Sequence, residues 1–400
     1  MNAALANATR GAGLTFHDVH DAGPPRDPLP ETHPPVIFRG ETGTEAMVEP
    51  YDGGPPSPEI LFLAKSDNPE QAYKLIGKPS KHLDHHGAGW GSIHYAVTLP
   101  RRRRNNETVL TFRAPDPSEA RLVAIKQLDK AVVGSYLRRG GHEDPYKEIS
   151  RMQRLGDGFH VLQCLEALED DKCIYSVMPY CNEGSLMDNL PWTMSGGTGY
   201  PEDEAKALFI NILEILVYLE RHGIFHHDLA PDNFLFFNGR LVLFDFAMSL
   251  PFPREDDGTR YLMRPQGVYG TMPCMAPELY FNGTPFDGVA GDLWGAGTIL
   301  YSLLTGHILY SLPAPADILF RYYILAGGLR PGLNEEMVEI LEGAFSPDSN
   351  DDQDNLMAHA MANLNIPPDA LEVLIGLLNF NPSARWTLKQ TIDSAWVQAA

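Results

Sequence analysis

The hydrophobic period of this chain changes near residue 182, and that change limits the folds open to it. Before it, "SIHYAVTL" (92–99) and "ARLVAIKQL" (120–128) alternate apolar and polar residues, as half-buried strands do. "VLQCLEAL" and "CIYSVMPY" follow as two more strand-like runs. One helical run interrupts them, "EDPYKEISRMQRL" (143–155), with Asp144 as N-cap and Pro145 at its first position. After "CNEGSL" the pattern is mainly helical. "PEDEAKALFINILEILVYLERHG" (201–223) has acidic residues in its first turn and a glycine at its end. Further helical stretches lie at 290–306, 316–327 and 368–380. Strands gathered ahead of helices predict an α+β chain of two lobes, with a ligand cleft between them.

Residues 1–70 stand apart. "DAGPPRDPLPETHPPV" and "EPYDGGPPSPE" are too rich in Pro, Gly and Asp to bury much apolar surface. A disordered tail is expected, with "EILFLAK" (59–65) as a short piece that docks on the folded part.

The formal net charge of −21 disfavours nucleic acid or an anionic membrane as partner, since both need a basic footprint. The most apolar helical stretch (207–219) is broken by Asn211 and Glu214 and falls short of the roughly 20 residues of a membrane span. No basic start followed by an apolar run marks a signal peptide, and the four cysteines show no CxxC spacing. A soluble, cytoplasmic protein with reduced thiols is expected, of open oligomeric state. Arg101–Arg104 offer a nuclear address or a docking patch, although a solvated hairpin extension accounts for them as well. "DSNDDQDN" (348–355) lacks the glycine and glutamate of a calcium loop and reads as a solvated acidic loop.

The chemistry-bearing runs are "VAIK" (123–126), "HHDLAPDN" (226–233), "DFA" (245–247), "APE" (276–278), "DLWGAGTILYSLLTG" (292–306) and "NPSAR" (381–385). Singly, their Asp and Asn residues would be turn or cap residues. In this order, over about residues 73–397, they resemble the eukaryotic protein kinases of the serine/threonine type, with a divergent catalytic loop. The resemblance implies a β-rich N-lobe (73–178), a hinge (179–181) and an α-helical C-lobe (182–397). It also implies transfer of the ATP γ-phosphate, with Mg²⁺, to Ser/Thr hydroxyls of protein substrates.

Residue by residue, the resemblance gives Lys126 to the α- and β-phosphates and Glu148 as the carboxylate that holds it. Spaced four and seven residues before Met152 and Leu155, Glu148 shares their inward face. Asp228 would take the hydroxyl proton, and Asn233 and Asp245 would hold the metal. Gly87, Gly89 and Gly91 would cover the phosphates. Two alignments of "HHGAGWGSI" stay open, one of which makes Trp90 an aromatic loop tip and puts His86 and Ala88 where two glycines belong. Ile93 and Ala124 would line the nucleotide. Met178 resembles a gatekeeper, with the Pro179 carbonyl and the Cys181 N–H facing adenine. Thr271 would contact Asp228, Glu278 would pair with Arg385, and Asp292 would anchor the catalytic loop.

Three positions depart from the family pattern. Ala230 stands where a lysine touches the transferring phosphate, and loss of one such donor typically costs about 10²–10³ in rate. His227 stands where an arginine receives a phosphorylated activation loop. Ala247 follows Asp-Phe in place of glycine, at a cost of about 1 kcal/mol if that position needs φ > 0. The expectation is a kinase slowed by a missing donor. The alternatives are a pseudokinase that holds nucleotide as a scaffold, and a small-molecule phosphotransferase with the same H-x-D-x4-N loop.

Overall fold

The computed structural model describes residues 25–65, 71–76, 81–85, 88–102, 111–192, 198–255, 259–314, 316–317, 319–320, 323 and 366–399. The chain divides into two compact units, Thr32–Asn182 and Glu183–Ala400, the latter joined by the N-terminal residues up to Glu31.

The strand-rich unit holds β1 (Phe38–Thr42), β2 (Glu45–Glu49), β3 (Ser57–Ile60), β4 (Leu63–Lys65), β5 (Gln71–Leu75), β6 (Lys81–His85), β7 (Ala88–Arg102), β8 (Thr111–Arg113), β9 (Leu122–Asp129), β10 (Glu166–Glu169) and β11 (Cys173–Pro179). Hydrogen bonds join β7, β5, β4, β1, β10, β11 and β9 in that order, and β9 pairs back onto β7. The sheet therefore closes on itself, which covers strand edges that would otherwise stay unpaired. Strands β8, β2 and β3 extend from the far end of β7.

Closure depends on residues expected to be disordered. The expectation of a disordered tail over 1–70 is corrected for 38–65, which form β1–β4; residues 1–24 lie outside the described residues. The reason is local. Pro and Gly lower the average apolarity of each window, yet single residues in the short runs between them still reach the core. Leu61, Leu63 and Ala64 are at most 2% exposed. Leu63 joins Tyr73, Ala96, Val123, Ile125, Leu168, Tyr175 and Val177 in one core cluster. Lys65 pairs with the buried Glu166 of β10 at 2.8 Å, and the Tyr73 hydroxyl donates to the same carboxylate at 2.7 Å. Burial and that carboxylate push the Tyr73 phenol well above its ordinary pKa.

Two helices complete this unit. α1 (Lys130–Arg138) is capped by Asp129, and α2 (Pro145–Leu155) by Asp144, with Pro145 at its first position. Trp90 is not a loop tip. It is 6% exposed, clusters with Leu128 and Val133, and meets the Tyr136 ring edge-on at 5.0 Å. The register between β6 and β7 shifts between Leu83 and Asp84, so β7 carries an extra residue at Trp90 that turns it toward α1.

In the helical unit, α3 (Leu186–Asn189), α4 (Glu202–Arg221), α5 (Pro277–Phe281), α6 (Gly288–Thr305), α7 (Pro368–Leu377), α8 (Leu388–Asp393) and α9 (Ala395–Gln398) accompany two hairpin-like pairs. These are β12 (Ile224–Phe225) with β15 (Leu250–Pro251), and β13 (Phe234–Phe237) with β14 (Arg240–Leu243). Helix α6 is buried on nearly every side, as its "DLWGAGTILYSLLT" composition requires. It starts at the Asp287 cap and ends at Gly306 with φ +68°. The helix expected at 316–327 and the acidic loop at 348–355 fall mostly or wholly outside the described residues. Among the described residues, no helix is long and apolar enough to cross a membrane.

The tightest strand contact yields a stability prediction. A Cβ on Gly91 would lie 1.9 Å from the Gln127 carbonyl oxygen of β9. Gly91→Ala should therefore lower unfolding free energy by about 1–3 kcal/mol in urea titration. Gly54→Ala, where a Cβ meets nothing closer than 3.4 Å, should stay within about 0.5 kcal/mol of the parent.

Candidate functional site

In the strand-rich unit the register of three strands assembles one surface. Lys126 of β9 lies opposite Ile93 of β7 and Ser176 of β11; Ala124 lies opposite Tyr95 and Met178. Directly opposed residues share a face, so Ile93, Ala124, Lys126 and Met178 are together, while Val123, Ile125 and Val177 turn to the core. The Lys126 ammonium donates to both oxygens of Glu148 on α2, at 2.8 and 2.9 Å. Their side chains are only 14% and 4% exposed. An ammonium this buried is tolerable only with such a partner.

At the end of β11, Pro179 lies opposite Val123, and the Tyr180 N–H donates to the Leu122 carbonyl at 3.3 Å. Cys181 follows, its thiol 4.0 Å from the Pro179 carbonyl oxygen. Of the three candidate glycines, Gly87 lies outside the described residues, Gly89 lies opposite Asp84 in β7, and Gly91 is pressed against β9.

In the helical unit the "HHDLAPDN" loop follows β12 and hangs from one buried carboxylate. Asp292 of α6 accepts the His226 N–H at 2.6 Å and the His227 N–H at 2.9 Å. His227 takes φ +71°, which turns the chain so that the next side chain, Asp228, emerges half-buried. The Asp228 carboxylate is oriented from two sides. Asn233 donates its amide to Asp228 Oδ2 at 3.0 Å and to the Asp228 carbonyl at 2.8 Å. The Thr271 N–H donates to Asp228 Oδ1 at 2.6 Å. Gly270 makes that approach practicable: its φ is +116°, and a Cβ there would sit 3.2 Å from the His227 carbonyl oxygen.

Asn233 and Asp245 flank the open end of the β13–β14 pair, where the Phe244 N–H donates to the Asn233 carbonyl at 3.0 Å. Asp245 has φ +61°. Ala247 is not among the positive-φ residues, so alanine there carries no such penalty; the strained position of "DFA" is its aspartate. Asn233 and Asp245 supply oxygen donors only, which suits a hard cation such as Mg²⁺. Among the described residues no group of three or more His, Cys, Asp or Glu is placed to hold a metal ion. A cation at this pair would complete its shell with water and phosphate oxygens, and the two residues fit that role.

Three residues read differently once placed. Ala230 is fully buried, so the position is packed as an alanine; a lysine there would have to displace its neighbours. His227, 6% exposed, lies among the rings of Tyr269 (4.5 Å), Phe225 (5.3 Å) and Phe286 (5.9 Å). His226, fully buried, makes a 3.1 Å hydrogen bond with the Phe244 carbonyl through Nε2 and meets the Phe246 ring edge-on. The sequence reading passed over His226 and Gly270. Their signals were a second histidine before the aspartate and a glycine immediately before Thr271.

The "APE" run is tied down by a buried fork. Arg385 donates to Glu278 Oε1 at 2.6 Å and Oε2 at 3.0 Å, and to the Ala290 carbonyl at 2.7 Å. Its guanidinium stacks over Trp294 at 4.9 Å. Buried pairs of this kind fix geometry more dependably than they add stability.

A family model for the protein kinase domain matches residues 110–397. CDPK-related kinase 3 of Arabidopsis thaliana is 31% identical over 188 residues, 46% of this chain and 29% of that protein. Calcium-dependent protein kinase 16 of Oryza sativa subsp. japonica is 31% identical over 220 residues, 54% of this chain and 37% of that protein. CBL-interacting protein kinase 25 of the same organism is 32% identical over 232 residues, 56% and 43% respectively. The chain thus spans well under half the length of these curated relatives.

The loop anchor predicts a pH dependence. Burial pushes the Asp292 carboxyl up to about 6, against the opposing pull of His226 and the two N–H donors. A folded pKa above the unfolded one means stability fully present below the unfolded value of 3.8 and lost as pH rises to about 6. In urea unfolding, the stability of the parent relative to Asp292→Asn should fall across that window, by up to about 1.4 kcal/mol per pH unit. A difference that is flat or rises with pH would contradict this assignment.

Proposed function

The chain belongs to the protein kinase family, and from that premise we propose that it is an active protein serine/threonine kinase using ATP and Mg²⁺. The observation that carries this reading is the oriented Asp228 carboxylate, held by the Asn233 amide and the Thr271 N–H. A general base must keep one geometry toward the hydroxyl it serves, and a carboxylate fixed from two sides does so.

The residues divide the work as follows. Asp228 accepts the proton of the incoming Ser or Thr hydroxyl. Thr271, immediately beside it, favours aliphatic hydroxyls on a protein substrate. Lys126, kept charged by Glu148, holds phosphate oxygens. Met178, Ala124 and Ile93 supply apolar contact for adenine, and the Pro179 carbonyl and Cys181 N–H supply its polar edge. Gly87 and Gly89 would allow backbone to come near the phosphates, while Gly91 serves the close packing of β7 on β9. Asn233 and Asp245 hold the metal, which when bound neutralises charge on the transferring phosphoryl group. The relatives named for calcium or CBL regulation carry those names for themselves.

Transfer of radiolabelled phosphate from ATP with Mg²⁺ to a basic protein such as histone tests the reading. The parent should label the substrate, and Asp228→Asn should lower the rate by about 10²–10⁴. Parent labelling no higher than that of Asp228→Asn would end the enzyme reading. Because Ala230 is enclosed, Ala230→Lys should lower the melting temperature without raising the rate. A rate gain of about 10²–10³ would instead show a missing donor.

A further inference from the structure

Residues 25–31 pack with the helical unit. Arg26 lies parallel to Met263: its N–H donates to the Leu262 carbonyl at 2.8 Å, and its own carbonyl accepts the Arg264 N–H at 3.0 Å. The Leu29 N–H donates to the Pro251 carbonyl at 3.1 Å. The Arg26 guanidinium covers the Tyr261 ring at 3.3 Å and pairs with Glu255 at 3.3 Å. Asp27 accepts from Arg264 at 2.6 Å. All these partners lie between Asp245 and Glu278, the run that resembles an activation loop.

His33 and Val36, which belong to the strand-rich unit, bind that unit's helix α2. The Ser150 hydroxyl donates to the His33 carbonyl. Gln153 brackets Val36, accepting its N–H at 2.9 Å and donating to its carbonyl at 2.8 Å. This is the helix whose Glu148 holds Lys126. The chain then enters β1.

We propose that residues 25–42 are a strap acting in cis, which holds the 250–264 run and helix α2 in their working positions and makes activity independent of phosphorylation there. The inference rests on the kinase reading above. Two observations give its direction. The hydrogen bonds and ion pairs by which Arg26, Asp27 and Leu29 hold this run end on residues 251–264, while the Asp228 carboxylate is met by Asn233 and Thr271, so these contacts order the run without engaging the base. The place where a phosphate-binding arginine would stand is His227, enclosed by three rings. In the same run, Arg260 is 7% exposed and pairs with Glu220 of α4 and with Asp287, the cap of α6, so the run is already tethered by charge.

The test uses the full-length chain, treated with phosphatase throughout. Arg26→Pro removes the stacked guanidinium and one main-chain donor. Amide hydrogen exchange at Arg264 should accelerate roughly tenfold, and phosphate transfer to histone should slow roughly tenfold. The melting shift caused by Mg–ATP should persist. Arg26→Lys, which keeps the charge and the N–H, should recover most of both losses. Unchanged exchange at Arg264 would overturn the docking. Faster exchange with unchanged or increased transfer would overturn the activating role. A parent chain that transfers nothing removes the kinase reading and the activating role with it, while exchange still decides whether the strap docks. Parent activity that vanishes on phosphatase treatment would also overturn the proposal.

Discussion

Two adjacent backbone N–H groups end on the carboxylate of Asp292, and the rest of the helical unit's chemistry is arranged around that fact. The carboxylate is buried in the flank of α6, where its desolvation is costly and only good hydrogen bonds make it tolerable. Those bonds hold His226 and His227 in place. His227 can then keep φ +71°, a conformation that a non-glycine residue holds only when its surroundings over-determine it. The turn it makes directs Asp228 toward Asn233 and Thr271. One buried acid thus sets the direction of an outward one, Asp228, immediately after the turn at His227.

The same division between anchoring and working groups recurs. Glu148 anchors Lys126, and Arg385 anchors Glu278 while reaching the Ala290 carbonyl. In each case the more buried member has the structural task. Burial raises the electrostatic stakes, so a misplaced partner is costly and the geometry stays narrow. Of the four non-glycine residues with positive φ among the described residues, the two that are not asparagine, His227 and Asp245, lie on the working side, and the glycine at 270 lets Thr271 come close.

Much of this could be read from residue order. The resemblance implied the Lys126–Glu148 pair, and the spacing of Glu148 from Met152 and Leu155 already put it on the inward face of its helix. Asp144 as cap was legible from the local pattern, whereas Asp292 as anchor and the Glu278–Arg385 fork were expected only because the ordered motifs resemble the protein kinases. What could not be read were relations set by pairing partners distant in sequence. Ring closure depends on β1 meeting β10 and β5 meeting β7, and neither register has a local signal. Trp90 looked like a loop tip because its neighbours are glycines; one extra residue in β7 turns it inward. Ala230 looked like a gap because the sequence names what is missing and not what fills the space.

Residues 25–65 carry the largest consequence of that blindness. A segment with this much Pro and Gly has little cohesion of its own, and it gains order only from surfaces that other parts of the chain present. Here it has three: the 251–264 run, helix α2 and the edges of β10, β5 and β8. Short strands interrupted by turns suit that task, because each piece can follow a different surface. The ordering entropy is met piecewise, by main-chain hydrogen bonds at Arg26 and Val36 and by buried Leu61 and Leu63 in the core. Loss of any one attachment would therefore loosen its own surface first.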